Sequence, residues 1–173
     1  LTEYMLGRIT QFCWDYATRF FEAGKGKIHL TQVTDDYGSQ QDLMISAECY
    51  RRWFKPLQKK FIDLAHQAGA VVMHHDDGAI RRIIPDLIEV GVDMLNPIQH
   101  VCPGMDMPGL KRDFGAHLSF HGGVDNQDVL PHGSVDDVRR EVRDCLNQLG
   151  AGGGYILAPC YNINEATTTE NII

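Results

Sequence analysis

The segment His75-Asp76-Asp77-Gly78 has the residue types and spacing best suited to chemistry in this chain of 173 residues. It follows a short apolar run that we predict to be a β-strand, and residues two apart on an extended chain point to the same side. His75 and Asp77 could therefore share a metal ion or a substrate proton. The same pattern is compatible with a structural role in which Asp77 caps the next helix.

Cys160 is the candidate for a third metal ligand because it also follows a predicted strand and thiolate is a preferred zinc ligand. The alternative is a small buried apolar residue beside Pro159. The five cysteines are widely spaced, and no two of them form a CxxC pair. We therefore predict no disulfide framework.

Polar side chains recur after each of five predicted strands, which lie near residues 28–33, 70–73, 92–95, 117–120 and 155–157. The carboxyl ends of parallel strands are where α/β proteins place their chemistry, so one rim of the sheet is the predicted site. The candidates for binding a substrate there are Gln40, Asn96, Gln99, His121, Gly123, Asp125 and Asn162. Gly122-Gly123 would either let a ligand approach the backbone or form a structural turn.

Helices with apolar residues at helical spacing separate these strands. A first helix is predicted from Tyr4 to Phe21, and Ser46 caps a second, which Pro56 should kink. Ser134, with Asp137 three residues later, begins another long helix. Five strand-then-helix units predict one α/β domain, residues 1–173, with a parallel sheet covered on both faces.

The overall composition narrows the class of protein. Sixteen basic and twenty-three acidic residues give a net charge of −7, which disfavours nucleic-acid and anionic-membrane partners. No apolar run approaches the roughly 18 residues of a membrane span, and the N-terminus has no signal-peptide pattern. We expect a soluble, cytoplasmic protein. The chain begins within a predicted helix, so we also expect a piece of a longer protein.

A series of motifs, taken in order, resembles the uroporphyrinogen decarboxylase superfamily from about Thr34 to the end of the chain. The motifs are His75-Asp76-Asp77-Gly78, Asn96-Pro97-Ile98-Gln99, Gly104-Met105-Asp106, Gly122-Gly123-Val124-Asp125, Gly152-Gly153-Gly154-Tyr155 and Glu170-Asn171-Ile172. The resemblance implies an incomplete (β/α)8 TIM barrel, roughly strands 4–8 with their helices. It also implies one of two activities, tetrapyrrole decarboxylation or zinc-dependent methyl transfer from a corrinoid.

The chain departs from both subfamilies at their active sites. The decarboxylases' essential arginine, aspartate and tyrosine would lie upstream of Leu1, and their histidine after the last strand falls at Tyr161. The methyltransferases bind zinc through His-x-Cys and a later cysteine. Here those positions read His75-x-Asp77 and Tyr161, with Cys160 displaced by one.

The leading interpretation is a decarboxylase-like lyase that removes carboxylates from a porphyrinogen without a cofactor, the present chain alone being inactive. Its catalytic candidates are Asp35 or Asp36, which would stabilise positive charge on a pyrrole ring, with His75 and Tyr161. The first alternative is a methyltransferase whose zinc is held by His75, Asp77 and Cys160. The second is a tetrapyrrole- or corrinoid-binding protein without turnover. Expected partners are a tetrapyrrole or corrinoid, a corrinoid protein, and further copies of the same chain.

Overall fold

The computed structural model describes residues 1–173, whose five strands form one parallel sheet. Its strands lie side by side in chain order: β1 (Leu30–Thr34), β2 (Val71–His75), β3 (Met94–Asn96), β4 (Ser119–Val124) and β5 (Tyr155–Pro159). A helical crossover precedes each parallel pairing, as parallel strands require. The sheet does not close, because β1 and β5 each pair on one side only. The α/β class and the partial barrel are confirmed.

Eight α-helices accompany the sheet. They are α1 (Thr2–Gly24), α2 (Ala47–Cys49), α3 (Lys55–Gln67), α4 (Ile84–Val90), α5 (Met107–Phe114), α6 (Val129–His132), α7 (Val135–Gln148) and α8 (Thr169–Ile172). None of them combines the length and apolar character that crossing a membrane would need.

The helix predicted from Ser46 is present in three pieces. The Ser46 side chain accepts a hydrogen bond from the Cys49 amide, as expected for a cap. A π-helical turn, Tyr50–Phe54, then joins α2 to α3. Pro56 lies in the first turn of α3, two residues after this π-helical turn.

The two faces of the sheet differ in character. On β2, Val72 and His74 are fully buried, and they alternate with Val71, Met73 and His75, which are partly exposed. The buried face packs beneath helices such as α3 and α7 and belongs to a core of 27 apolar residues. The prediction of a sheet covered on both faces is wrong, since the second face carries polar side chains and is open.

Strand β4 extends further than predicted. The pair Gly122 and Gly123, expected in an exit loop, lies inside the strand and pairs with Leu157 and Ala158 of β5. Both glycines have positive φ, 109° and 99°, a conformation that glycine adopts readily. A glycine pair is also typical of turns, which is why the sequence indicated a turn where the strand in fact continues. The exit of β4 therefore begins at Asp125.

Candidate functional site

A cleft of about 520 Å³ lies over the open face of the sheet near the carboxyl ends of its strands. Thr34, His75 and Asn96 are in register across β1, β2 and β3, which places them in one row. His121 of β4 lies next to Asn96. The lining residues are Gln32, Thr34, Met73, His75, Asn96, His121, Ala158, Pro159, Cys160, Tyr161 and Asn162.

Asp36, His75 and Asp77 form the one group of potential metal ligands in the structure, with their ligand atoms within 4.8 Å of one another. His75 Nε2 lies 3.8 Å from Asp77 Oδ2 and 4.0 Å from Asp36 Oδ1. The Asp77 amide donates to Asp36 Oδ1 at 3.1 Å, which fixes the exit of β1 against that of β2.

The carboxylate of Asp77 is only partly satisfied by protein groups. Its Oδ1 is buried and has no hydrogen-bond partner. Burial raises the pKa of Asp77, an effect that the neighbouring His75 opposes. A buried carboxylate oxygen without a donor, beside a second carboxylate and an imidazole, is an arrangement that a divalent cation would stabilise.

The Asn96 side chain joins two histidines. Its Oδ1 lies 2.6 Å from His75 Nδ1, and its Nδ2 lies 2.7 Å from His121 Nδ1. Burial lowers the pKa of His121, which favours its neutral form. The ring orientation of both histidines is therefore fixed by one amide.

Asp76 positions the loop that carries Asp36, a role not identified from the sequence. Its fully buried carboxylate accepts hydrogen bonds from the Tyr37 and Gly38 amides at 2.9 and 3.0 Å. The Tyr37 hydroxyl donates to Asp35. The sequence does contain a signal for this role, because side chains alternate along an extended strand and Asp76 therefore lies on the opposite face from His75 and Asp77.

The structure does not bring Cys160 into the ligand group. Its buried thiol lies 3.2 Å from the Ile98 carbonyl oxygen and donates to it. Burial raises the pKa of this thiol to about 12, which keeps it protonated at neutral pH. The third member of the ligand group is Asp36, which we predicted as a catalytic residue, and not Cys160, which we predicted as the third metal ligand.

Gln40 and Gln99 lie behind the cleft and brace its loops. The Gln40 side chain donates to Gln99 Oε1 at 3.2 Å, and the same oxygen accepts from the Gly78 amide at 2.6 Å. Neither glutamine is among the residues that line the cleft.

Asp125 and Gly123 also have structural surroundings. Asp125 is buried, and its Oδ1 accepts a hydrogen bond from the Gln127 amide at 2.8 Å in a tight turn. A Cβ on Gly123 would lie 3.0 Å from the Tyr155 hydroxyl and 3.3 Å from Cys145 Sγ, on the side of α7. Gly123 therefore faces the helices.

Tyr161 and Asn162 line the cleft and come shortly after β5, which ends at Pro159. The Tyr161 ring is 56% exposed and lies 6.4 Å from the His75 ring. Asp35 is not among the residues that line the cleft and lies outside the ligand group, where it accepts a hydrogen bond from the Tyr37 hydroxyl. The structure thus brings together Asp36, His75, Asp77, Asn96, His121 and Tyr161.

Parallel strands in chain order with polar groups at their carboxyl ends define part of a (β/α)8-barrel protein of the kind that builds its active site on that rim. The chain belongs to the uroporphyrinogen decarboxylase (URO-D) family, whose sequence pattern matches residues 1–173. The predicted resemblance is therefore confirmed.

Two similar proteins come from Methanosarcina mazei. A methylated-thiol–coenzyme M methyltransferase is 23% identical over 148 residues, which cover 83% of this chain and 35% of that protein. The solved structure of a methyltransferase superposes with a TM-score of 0.71 at 25% identity, over 94% of this chain and 44% of that one. The chain thus spans less than half the length of both proteins.

Proposed function

We propose that the full-length protein is a metal-dependent methyltransferase that moves a methyl group between a corrinoid and a thiol. The observation that carries the proposal is the group of His75, Asp36 and Asp77, in which one carboxylate oxygen is buried without a partner. Both similar proteins are named as methyltransferases, which supports the same reaction class.

The donor set fits a zinc ion. Imidazole nitrogen and carboxylate oxygen are both ligands in catalytic zinc sites, which use three protein ligands and leave a position for substrate. A bound Zn²⁺ would supply the positive charge that lowers the pKa of an acceptor thiol toward neutrality. Asn96 holds the His75 ring, and the Asp77 amide holds the Asp36 carboxylate, so both donors are oriented in advance.

The reaction is a displacement at the methyl carbon. The thiol loses its proton to solvent, its sulfur forms a bond to the methyl carbon, and the carbon–cobalt bond of the donor breaks with its electron pair left on cobalt. On this chain the sulfur would be held near His75, and the methyl donor would approach from the side of the cleft where Tyr161 lies.

Porphyrinogen decarboxylation is the second candidate, since it gives the family its name and Asp36 lies next to His75, which lines the cleft. Tetrapyrrole carboxylates require cationic partners. None of the residues that line the cleft is lysine or arginine, and two carboxylates stand beside it. The electrostatics of this half of the site favour methyl transfer.

The test is metal analysis of the full-length protein together with three substitutions. We expect one zinc per chain, and a loss of zinc affinity of about 100-fold or more in D36N and in D77N, because each removes a charged ligand. D35N is the matched control, since Asp35 is the adjacent carboxylate but lies outside the ligand group, and it should bind zinc like the parent.

Activity measurements distinguish methyl transfer from decarboxylation and from binding without turnover. The parent and D35N should methylate a small thiol with methylcobalamin as donor, and D36N and D77N should not. Metal-free protein that releases carbon dioxide from a porphyrinogen would establish decarboxylation instead. Tight binding of a corrinoid or porphyrinogen without turnover by the metal-loaded parent would establish a non-catalytic binding protein.

A further inference from the structure

The Asn96 amide imposes different protonation patterns on the two histidines that it contacts. An amide has an oxygen that only accepts and a nitrogen that only donates. His75 Nδ1 lies 2.6 Å from the oxygen and must carry a proton, whereas His121 Nδ1 lies 2.7 Å from the nitrogen and must be unprotonated. In a neutral His121 the proton is then on Nε2.

The distances around His75 support this orientation of the amide. If the amide were reversed, His75 Nδ1 would accept, and the ring proton would lie on Nε2, facing Asp36 and Asp77. Those carboxylate oxygens lie 4.0 and 3.8 Å away, beyond hydrogen-bond distance. The reversed amide would thus leave that N–H without an acceptor.

We propose that Asn96 is a positioning residue that holds His121 in the tautomer with its proton on Nε2, and that this N–H is a hydrogen-bond donor to the substrate in the cleft. His121 lines the cleft, and no protein group accepts a hydrogen bond from its Nε2. Since burial favours the neutral ring, His121 has a single N–H to offer, and its direction depends on Asn96.

The identity of the acceptor atom rests on the proposed function. His75 and His121 stand on β2 and β4, with Asn96 of β3 between them. A thiol whose sulfur lies near His75, Asp36 and Asp77 would extend over Asn96 toward His121. The Nε2–H of His121 would then bind a lone pair on the sulfur or on a neighbouring oxygen of the thiol compound.

Nuclear magnetic resonance of the full-length protein, with its histidines labelled with ¹⁵N, measures the tautomers directly and requires neither metal nor substrate. We expect the proton on Nε2 in His121 and a proton on Nδ1 in His75, the two rings being assigned from H121Q and H75Q. A proton on His121 Nδ1 in the parent would overturn the proposal. This measurement stands whether or not any variant of Asn96 folds.

The substitution N96D tests the positioning role, because a carboxylate accepts at both oxygens and donates at neither. His121 should shift its proton to Nδ1, while His75 keeps a proton on Nδ1. His66, whose Nε2 contacts Asp93 away from the cleft, is the internal control and should not change. An unchanged His121 tautomer in folded N96D would overturn the role of Asn96.

Substrate binding tests the second half of the proposal. With methylcobalamin and a small thiol, N96D and H121F should raise the KM for the thiol about 10-fold while zinc content stays at the parental level, since one hydrogen bond is lost. A KM equal to the parental value in both variants would overturn the donor role of His121. If the parent protein itself contained no zinc, the proposed function would be contradicted, but the tautomer result would still stand.

Discussion

Asp76 and Asp77 are adjacent in sequence, yet they face opposite sides of the sheet. Asp76 is fully buried on the helix side and accepts hydrogen bonds from two backbone amides, whereas Asp77 faces His75 at the cleft. This division follows from the alternation of side chains along an extended chain. Asp76, although adjacent to the candidate ligand Asp77, therefore positions the loop that carries Asp36 and does not itself belong to the ligand group.

Gly123 provides a prediction at the residue scale. Because its φ is positive and its Cβ position is crowded by the Tyr155 hydroxyl, G123A should lower the free energy of unfolding by about 2–4 kcal/mol. The matched control is G152A, which also has positive φ but open space at the Cβ position, and should cost about 1 kcal/mol. Urea unfolding measures both, and equal losses would show that crowding at Gly123 is unimportant.

The candidate site could be predicted from the sequence only in part. The position of His75 and Asp77 follows from strand period and chain direction, which local sequence determines. Asp36 joins them through a contact 41 residues distant, between the exits of β1 and β2. Cys160 was placed at the correct rim, but the direction of its thiol depends on the Ile98 carbonyl, which no local pattern indicates.

At the scale of elements, one pair of residues connects the exit of β3 to α7. His100 Nε2 lies 2.6 Å from Glu141 Oε1, and both side chains are largely buried. The hydrogen bond with Glu141 raises the pKa of His100 above 6.5. Although burial alone would raise it, the pKa of Glu141 lies below 4.5 because of the hydrogen bond and charge of His100.

These shifts predict a pH dependence of stability. The His100 contribution is complete below its ordinary value of 6.5 and is lost as the pH rises through its raised pKa. The Glu141 contribution is complete above 4.5 and is lost as the pH falls through its lowered pKa. The pair therefore stabilises the fold most between pH 4.5 and 6.5.

The substitution H100Q should remove the decline in unfolding free energy that the parent shows as the pH rises above 6.5. Urea unfolding at a series of pH values measures this decline. H132Q, at an exposed histidine of α6, is the control and should follow the parental curve. If the unfolding free energy of H100Q showed the same pH dependence as that of the parent, the His100–Glu141 pair would not contribute to stability.

The elements themselves were predicted more fully than the site. Apolar periodicity and caps identified α1, α3, α7 and all five strands. In α3 and α7 the periodicity follows from the burial of one helix face. The errors came at special backbone positions. Gly122-Gly123 has the composition of a turn but continues β4, since pairing with β5 compensates for the unusual φ values.

At the scale of the whole molecule, much apolar surface is left without a partner. No residue of the 23-residue helix α1 is buried, and Tyr4, Phe12 and Tyr16 are 71%, 73% and 66% exposed. The sheet also has two free edges, at β1 and β5. Surface of this kind favours association.

We therefore expect the 173-residue chain to self-associate at micromolar concentrations, as measured by analytical ultracentrifugation. The double substitution F12S and Y16S should weaken association by about 10-fold or more, because it removes two large apolar side chains from the exposed face of α1. R19S, at an exposed polar position of the same helix, is the control. A monomeric parent would contradict this expectation.

The candidate ligands Asp36, His75 and Asp77 lie at or just beyond the carboxyl ends of the first two strands of the sheet, and this has a consequence for the order of folding. Pairing β1 with β2 closes a single crossover, so the ligand group can assemble before β3, β4 and β5 are in place. An ion that binds the paired strands but not the open chain raises the free energy of separating them. Metal binding would therefore make β1, an edge strand, harder to separate from β2 by local unfolding.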